Sequence, residues 1–196
     1  MALKPTLWMH TLTLVATVLV GGPAWAQPAG EAAEVHAAQT AAMRALGAMT
    51  GVWRGSAWTL LPSGEKVVLT QTERIGPLLD GAVKVVEGRG YDSGGRLVFN
   101  ALGIISFDHR TQQYSLRAYN QGRVGDFALK QTDHGYSWEI PAGPATIRYT
   151  ATLSGETLRE VGERHAPGSP PLQVFEMVLT RVGPTDWPAA GAPGPK

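Results

Sequence analysis

Two glutamates, Glu73 and Glu87, are the first residues of this chain whose type could do chemistry, because paired carboxyl groups can divide acid and base roles across a scissile bond. Both fall in runs that read as consecutive β-strands joined by a turn at Pro77 to Asp80. That turn sets Gln71 opposite Val85 and Leu69 opposite Glu87, so the two glutamates lie about four residues apart, or ~13 Å at about 3.3 Å per residue. The separation argues against shared catalysis, and no catalytic residue is assigned. Glu87 and Arg89 differ: two apart on one face, they can form an ion pair. The pair reads either as a mutually satisfied internal couple or as a polar anchor for a ligand's carboxylate or amide.

Other chemistry finds less support. His109 and His134 sit in predicted turns, His165 ends a strand beside Arg164, and no two histidines are spaced as H-x-H or H-x-x-x-H, so no metal site is expected. Ser93-Gly and Ser154-Gly are turn residues, and no G-x-S-x-G occurs. The absence of cysteine excludes disulfides, a thiolate nucleophile and Cys-ligated metals. No cofactor is expected.

The elements that must position these residues follow a leader. Lys4, the apolar stretch Thr11 to Val20 and Ala24-Trp25-Ala26 make the n-region, h-region and small-residue cleavage site of a signal peptide at 1–26. The expected mature chain begins at Gln27 and is periplasmic or secreted, since the apolar run is short of the roughly 20 residues that cross a bilayer. Of 17 Lys+Arg against 16 Asp+Glu, Lys4 lies in the leader, so the mature balance is even. That gives no electrostatic case for nucleic acid or an anionic membrane surface as partner, and no membrane insertion of the mature chain is expected.

Residues 27–46 hold one helix, Glu31 to Leu46, with an apolar stripe of Val35, Ala38, Ala42, Met43 and Leu46, closed by Gly47. His36 on it reads as a solvated residue. From 47 to 182 the texture is β: ten runs at 52–61, 65–76, 81–92, 95–107, 112–120, 123–131, 135–140, 145–153, 157–165 and 172–182, separated by turn residues. Short connections predict an all-β, ten-stranded antiparallel up-and-down β-barrel, closed on itself to remove its edges. The Pro/Gly/Ala tail at 183–196 reads as disordered.

Alternation fixes which side chains face inward. With Lys66 and Arg74 outside, Leu69, Gln71, Glu73 and Ile75 point in; with Lys84 outside, Val83, Val85, Glu87, Arg89 and Tyr91 point in. Phe99, Ile105, Phe127, Leu129, Tyr136, Trp138, Tyr149, Phe175 and Met177 extend the set, while the fifth and ninth strands do not resolve, leaving Arg117, Tyr119 and Glu163 unassigned. The candidate ligand-binding residues are Glu73, Glu87, Arg89, Phe99, Trp138, Tyr149 and Phe175. This composition suits a small-molecule pocket and equally a filled core; ten strands make a wider cylinder than the eight that side chains can about fill.

Gly51-Val52-Trp53-Arg54-Gly55, opening the first strand, resembles the G-x-W start of calycin barrels, including lipocalins and nitrobindin-like proteins. Ile75-Gly-Pro-Leu-Leu-Asp-Gly81, Glu87-Gly-Arg-Gly90 and Ile105-Ser-Phe-Asp108, the last followed by Tyr114 and Asn120, are similar to stretches of an uncharacterised bacterial calycin-like family over about residues 47 to 182. The family's turns commonly carry Gly and Tyr where this chain has Asp80 and Phe107. The resemblance implies a structural stacking of Arg181 on Trp53 at the barrel's closed end. It also raises heme, which nitrobindin-like barrels hold through a histidine near the end of the chain; the last run here, Leu172 to Val182, has none, so heme is not expected.

The reading is an exported barrel that binds a small, mainly apolar ligand with one polar end, its mouth partly covered by the helix. An enzyme using Glu73, Glu87, Arg89 and Tyr149, and a filled barrel acting in protein–protein assembly, are the alternatives. A cavity of about 300 Å³ or more would separate binding from the filled barrel.

Overall fold

The computed structural model describes residues 29–185 and 187; the leader read at 1–26 and most of the tail read from Gly183 lie outside the described residues. One helix, α1 (Ala29–Arg44), precedes ten strands: β1 (Gly51–Leu60), β2 (Lys66–Leu78), β3 (Val83–Tyr91), β4 (Leu97–Asp108), β5 (Gln113–Asn120), β6 (Arg123–Thr132), β7 (Gly135–Ala142), β8 (Ala145–Ser154), β9 (Thr157–His165) and β10 (Leu172–Gly183). Each strand pairs antiparallel with the next, and β10 returns to β1, so the sheet closes and leaves no edge. Alternating apolar and polar residues drive this arrangement, since each strand must bury one face against the others.

One hairpin departs from the expected register. β2 runs on to Leu78, and the turn lies at Leu79–Gly81 instead of Pro77 to Asp80. Leu79, Asp80 and Gly81 all take positive φ, at 51°, 54° and 88°, so the chain reverses through three left-handed residues in a row. The consequence is a register in which Gln71 faces Gly90, Glu73 faces Gly88 and Arg74 faces Glu87. Residues opposite one another share a face, so this moves all of β3 to the other phase.

The helix ends two residues earlier than expected and continues as a 3-10 turn, Gly47–Met49. Met43, Leu46 and Met49 are buried with Trp53, Ile75, Ile105, Leu158 and Leu179, which form the filled core at one end of the barrel. Backbone groups tie the helix down there: Gln39 Nε2 donates to the Phe107 carbonyl at 3.1 Å, and Tyr114 Oη donates to the Ala42 carbonyl at 2.8 Å. His36 is exposed. The helix therefore seals the end where β1 begins, and it does not cover the mouth, which lies at the other end among Thr59, Phe99, Ile140 and Phe175. Its fully buried residues gather at its end, Met43 in the last turn and then Leu46 and Met49, which lead directly into Trp53.

Trp53 is fully buried and its indole Nε1 donates to the Met49 carbonyl at 2.8 Å. The Arg181 guanidinium lies 4.0 Å from the Trp53 ring centroid. It also donates to the carbonyls of Thr50 and of Ala48, the latter at 2.8 Å, and pairs with Glu156 at 2.8 Å. Gly51 makes room for this: its φ is +149°, and a Cβ there would come 2.5 Å from Arg181 Nη1. Gly55 has no space either, because a Cβ would collide with the Val178 carbonyl of β10. Both glycines around Trp53 are thus steric requirements of closing β1 against β10.

Candidate functional site

Above the filled end lies a cavity of about 300 Å³, bounded by side chains from every strand. Its two walls differ. On β3, β4 and β5 four of the inward positions are small, Gly88, Ala101, Gly103 and Ala118, set among Val86, Phe99, Ile105 and Leu116. Facing them is an aromatic arc. Trp138 and Tyr149 stack with centroids 4.5 Å apart and planes at 15°; Phe127 meets Trp138 at 5.3 Å, and Phe175 meets Tyr149 edge-on at 5.7 Å.

Tyr149 and Phe175 are not on neighbouring strands. Gly162 of β9 stands between them in both registers. A Cβ at Gly162 would sit 2.9 Å from Tyr149 Cε1 and 2.9 Å from Phe175 Cβ, so the two rings close over a position that has no side chain. The arc depends on that gap.

The polar groups gather at the base. Glu73 Oε1 accepts from Gln71 Nε2 at 3.3 Å, and lies over Gly88, whose missing Cβ would be 3.0 Å from that oxygen. Glu160, only 9% exposed, accepts from Trp138 Nε1 at 3.0 Å. Burial, and then the charge of Glu160, push the Glu73 carboxyl up to about 8; burial also raises Glu160, against the opposing pull of the Trp138 hydrogen bond. Tyr136 at the floor is held well above its usual range by burial and by both carboxylates, and Tyr149 is pushed up to about 12 by burial and by Glu160. Among the described residues lining the cavity, none is Lys, Arg or His.

Of the residues expected inside, Glu73, Phe99, Trp138, Tyr149 and Phe175 line this cavity. Glu87 and Arg89 do not. They face outward with Arg74, Thr72 and Tyr91 around a shallow depression on the outer wall, where Glu87 bridges Arg89 at 2.6 Å and Arg74 at 3.2 Å. The assumption that Lys84 marks the solvent side fails: Lys84 is 4% exposed, shares the inward phase of Val86 and Gly88, and donates from Nζ to Thr50 Oγ1 at 2.8 Å beneath the helix. Burial lowers its pKa. Glu73 and Glu87 are in fact one position from cross-strand partners, not four residues apart, but the sheet separates them.

Glu160 was not anticipated. β9 alternates Leu158, Glu160 and Gly162 inside with Thr157, Arg159 and Val161 outside, so neither phase is distinctly apolar. The available signal was the pair of small or apolar residues two positions either side of Glu160. Arg117 and Tyr119 prove to be outward, Arg117 pairing with Asp126 at 3.0 Å, and Glu163 lies 3.8 Å from His165 on the outer phase of β9. His109 and His134 are exposed in turns.

No family model matches this chain, and no curated protein matches it either. Solved structures do: the crystal structure of Rv2717c from M. tuberculosis superposes with a TM-score of 0.55 at 14% sequence identity, covering 71% of this chain and 96% of that chain. At that identity the likeness is one of fold.

Proposed function

We propose that this protein, exported by the leader at 1–26 and akin to the calycin-like barrels, binds a small, mainly apolar molecule with one polar end inside the barrel. One observation carries the reading: a cavity of about 300 Å³ with largely apolar and aromatic walls and two carboxyl groups, Glu73 and Glu160, at its base. Pockets for small ligands begin at about that size and share that distribution, apolar walls for affinity and a few polar groups for orientation. Charges buried for structure alone would be expected to come paired, as Glu87 is outside.

The test uses the chain from Gln27 onward and the neutral apolar fluorophore N-phenylnaphthylamine. Its emission should rise on binding, and Ala118→Trp, which fills the cavity from β5, should abolish the rise while circular dichroism stays unchanged. Unaltered binding in that variant would place the probe on the surface and remove the support for an internal site.

A second reading, an enzyme, is favoured by the Glu73 carboxyl at about 8 beside a second acid, since a carboxyl that keeps its proton at neutral pH can act as a general acid. Turnover of chromogenic esters or glycosides that Glu73→Gln abolishes, with fluorophore binding retained, would establish it.

A further inference from the structure

Among the described residues that line the cavity, two bear carboxyl groups and none a cationic side chain. Glu73 comes from β2 and Glu160 from β9, and both border the same space. Their hydrogen-bond partners are neutral donors, the Gln71 amide and the Trp138 indole. Elsewhere the chain readily supplies guanidinium groups to acids: Arg74 and Arg89 to Glu87, Arg159 to Glu176, Arg148 to Glu139. An ionised carboxylate enclosed by protein is heavily penalised unless it meets an opposite charge. Inside the barrel that charge is missing from the lining, and the two acids raise one another's cost, as the upward shift of Glu73 reflects.

The walls above the acids point the same way. Trp138 and Tyr149 stack face to face, with Phe127 and Phe175 at their edges. Such rings present electron-rich faces that attract cations, and they also bury hydrocarbon. An anionic ligand would meet two acids and only neutral donors, the amides of Gln71 and Asn120 and the hydroxyls of Tyr136 and Tyr149, whereas a neutral ligand would give the acids no counter-charge against which to ionise.

Building on the binding reading above, we propose that the ligand is a small apolar amine whose protonated nitrogen sits at the Glu73–Glu160 end of the cavity and whose hydrocarbon body lies against the aromatic arc. The ammonium supplies the counter-charge the barrel lacks. Gly88, Ala101, Gly103 and Ala118 leave space for the body.

The experiment displaces bound N-phenylnaphthylamine with three ligands of equal chain length and different heads: octylamine, octanol and octanoate, at neutral pH. Octylamine should displace the fluorophore at concentrations about tenfold lower than octanol, with octanoate weakest. In the Glu73→Gln/Glu160→Gln double variant, with displacement referred to that variant's own fluorophore affinity, the preference for the amine over the alcohol should vanish. Equal displacement by octylamine and octanol, stronger displacement by octanoate, or a preference that survives the double variant would overturn the amine assignment and leave small-molecule binding standing. Failure of the wild-type protein to bind the fluorophore or any of the three ligands would overturn the binding reading itself, and the amine with it. The wild-type comparison decides the matter alone if the double variant does not fold.

Discussion

The two ends of the barrel are built from the same strands and do opposite things. At the end where β1 begins, Trp53, Met49, Leu46, Ile75, Leu158 and Leu179 are packed out of contact with water, and α1 and Arg181 fasten the seal. Toward the other end, glycines and alanines stand among the inward residues and a cavity of about 300 Å³ opens between the walls. The ends differ in how side-chain volume is distributed across the barrel axis. Large residues converge at the sealed end; above it the stacked rings of Trp138 and Tyr149 hold one wall, and glycines and alanines thin the one across from it. Stability and ligand space are thereby assigned to separate residues, and substitutions should affect one or the other.

The largest effect should come from the sealed end. Trp53→Ala removes a fully buried ring, its hydrogen bond to Met49 and the surface on which Arg181 stacks, and should cost about 3–5 kcal/mol in urea unfolding. Phe99→Ala, at the mouth, should cost far less and weaken fluorophore binding instead. Comparable losses from the two would mean that the ends are not divided as described.

Next in size is the pH dependence set by the cavity acids. Glu73 is raised from 4.5 to about 8, so between those values the folded state holds a proton that the unfolded chain has released. Stability from this group is full below its unfolded value and is lost as pH rises through its folded one. The melting temperature should therefore be higher at pH 5 than at pH 8, by about 5 °C for a domain of this size. Glu73→Gln should flatten the difference. A melting temperature that climbs over that interval would contradict the enclosure of Glu73.

Gly162→Ala sharpens the comparison within the cavity itself. The added methyl would meet Tyr149 and Phe175 at 2.9 Å and force the arc apart, an overpacking cost of about 1–3 kcal/mol, with the fluorophore affinity falling as the wall opens. The smallest effect belongs outside. Glu87→Ala removes partly exposed ion pairs and should change stability by about 1 kcal/mol or less, with ligand affinity untouched.

Much of the barrel could be read from its residues. Runs of β-branched and aromatic side chains broken by turns gave ten strands in meander order, and alternation placed the inner faces of β2, β4, β6, β7, β8 and β10 wherever Phe, Leu, Ile or Trp recur at every second position. The site was only half visible. On β3 the reading relied on a lysine marking the solvent side, and Lys84 instead spends its buried charge on a threonine hydroxyl below the helix. The better marker was Gly88 and Gly90: glycines two apart in a strand give one face no side chains, which is what the wall of a cavity requires. The left-handed pair Leu79 and Asp80 shifted the register further, because Leu, unlike Asp, does not signal positive φ and the turn depends on both. Glu160 escaped because β9 carries polar residues on both faces; Leu158 and Gly162 beside it, and Met177 and Ala151 across the sheet, show which one is inside.

The clasp between the last strand and the first has a consequence for how the molecule is made. β1 can pair on one side as soon as β2 exists, but its other side waits for β10, more than 110 residues later. Arg181 then grips the carbonyls of Ala48 and Thr50, so the chain's final strand fastens its first. Until that moment every partly made barrel carries two open edges, at β1 and at the newest strand, each a row of unpaired amides ready to template another chain. Long-range closure of this kind is slow compared with hairpin formation. A chain ended before Leu172 would never complete it, and should accumulate as pairing-competent sheet that aggregates at concentrations where the full-length barrel stays monodisperse.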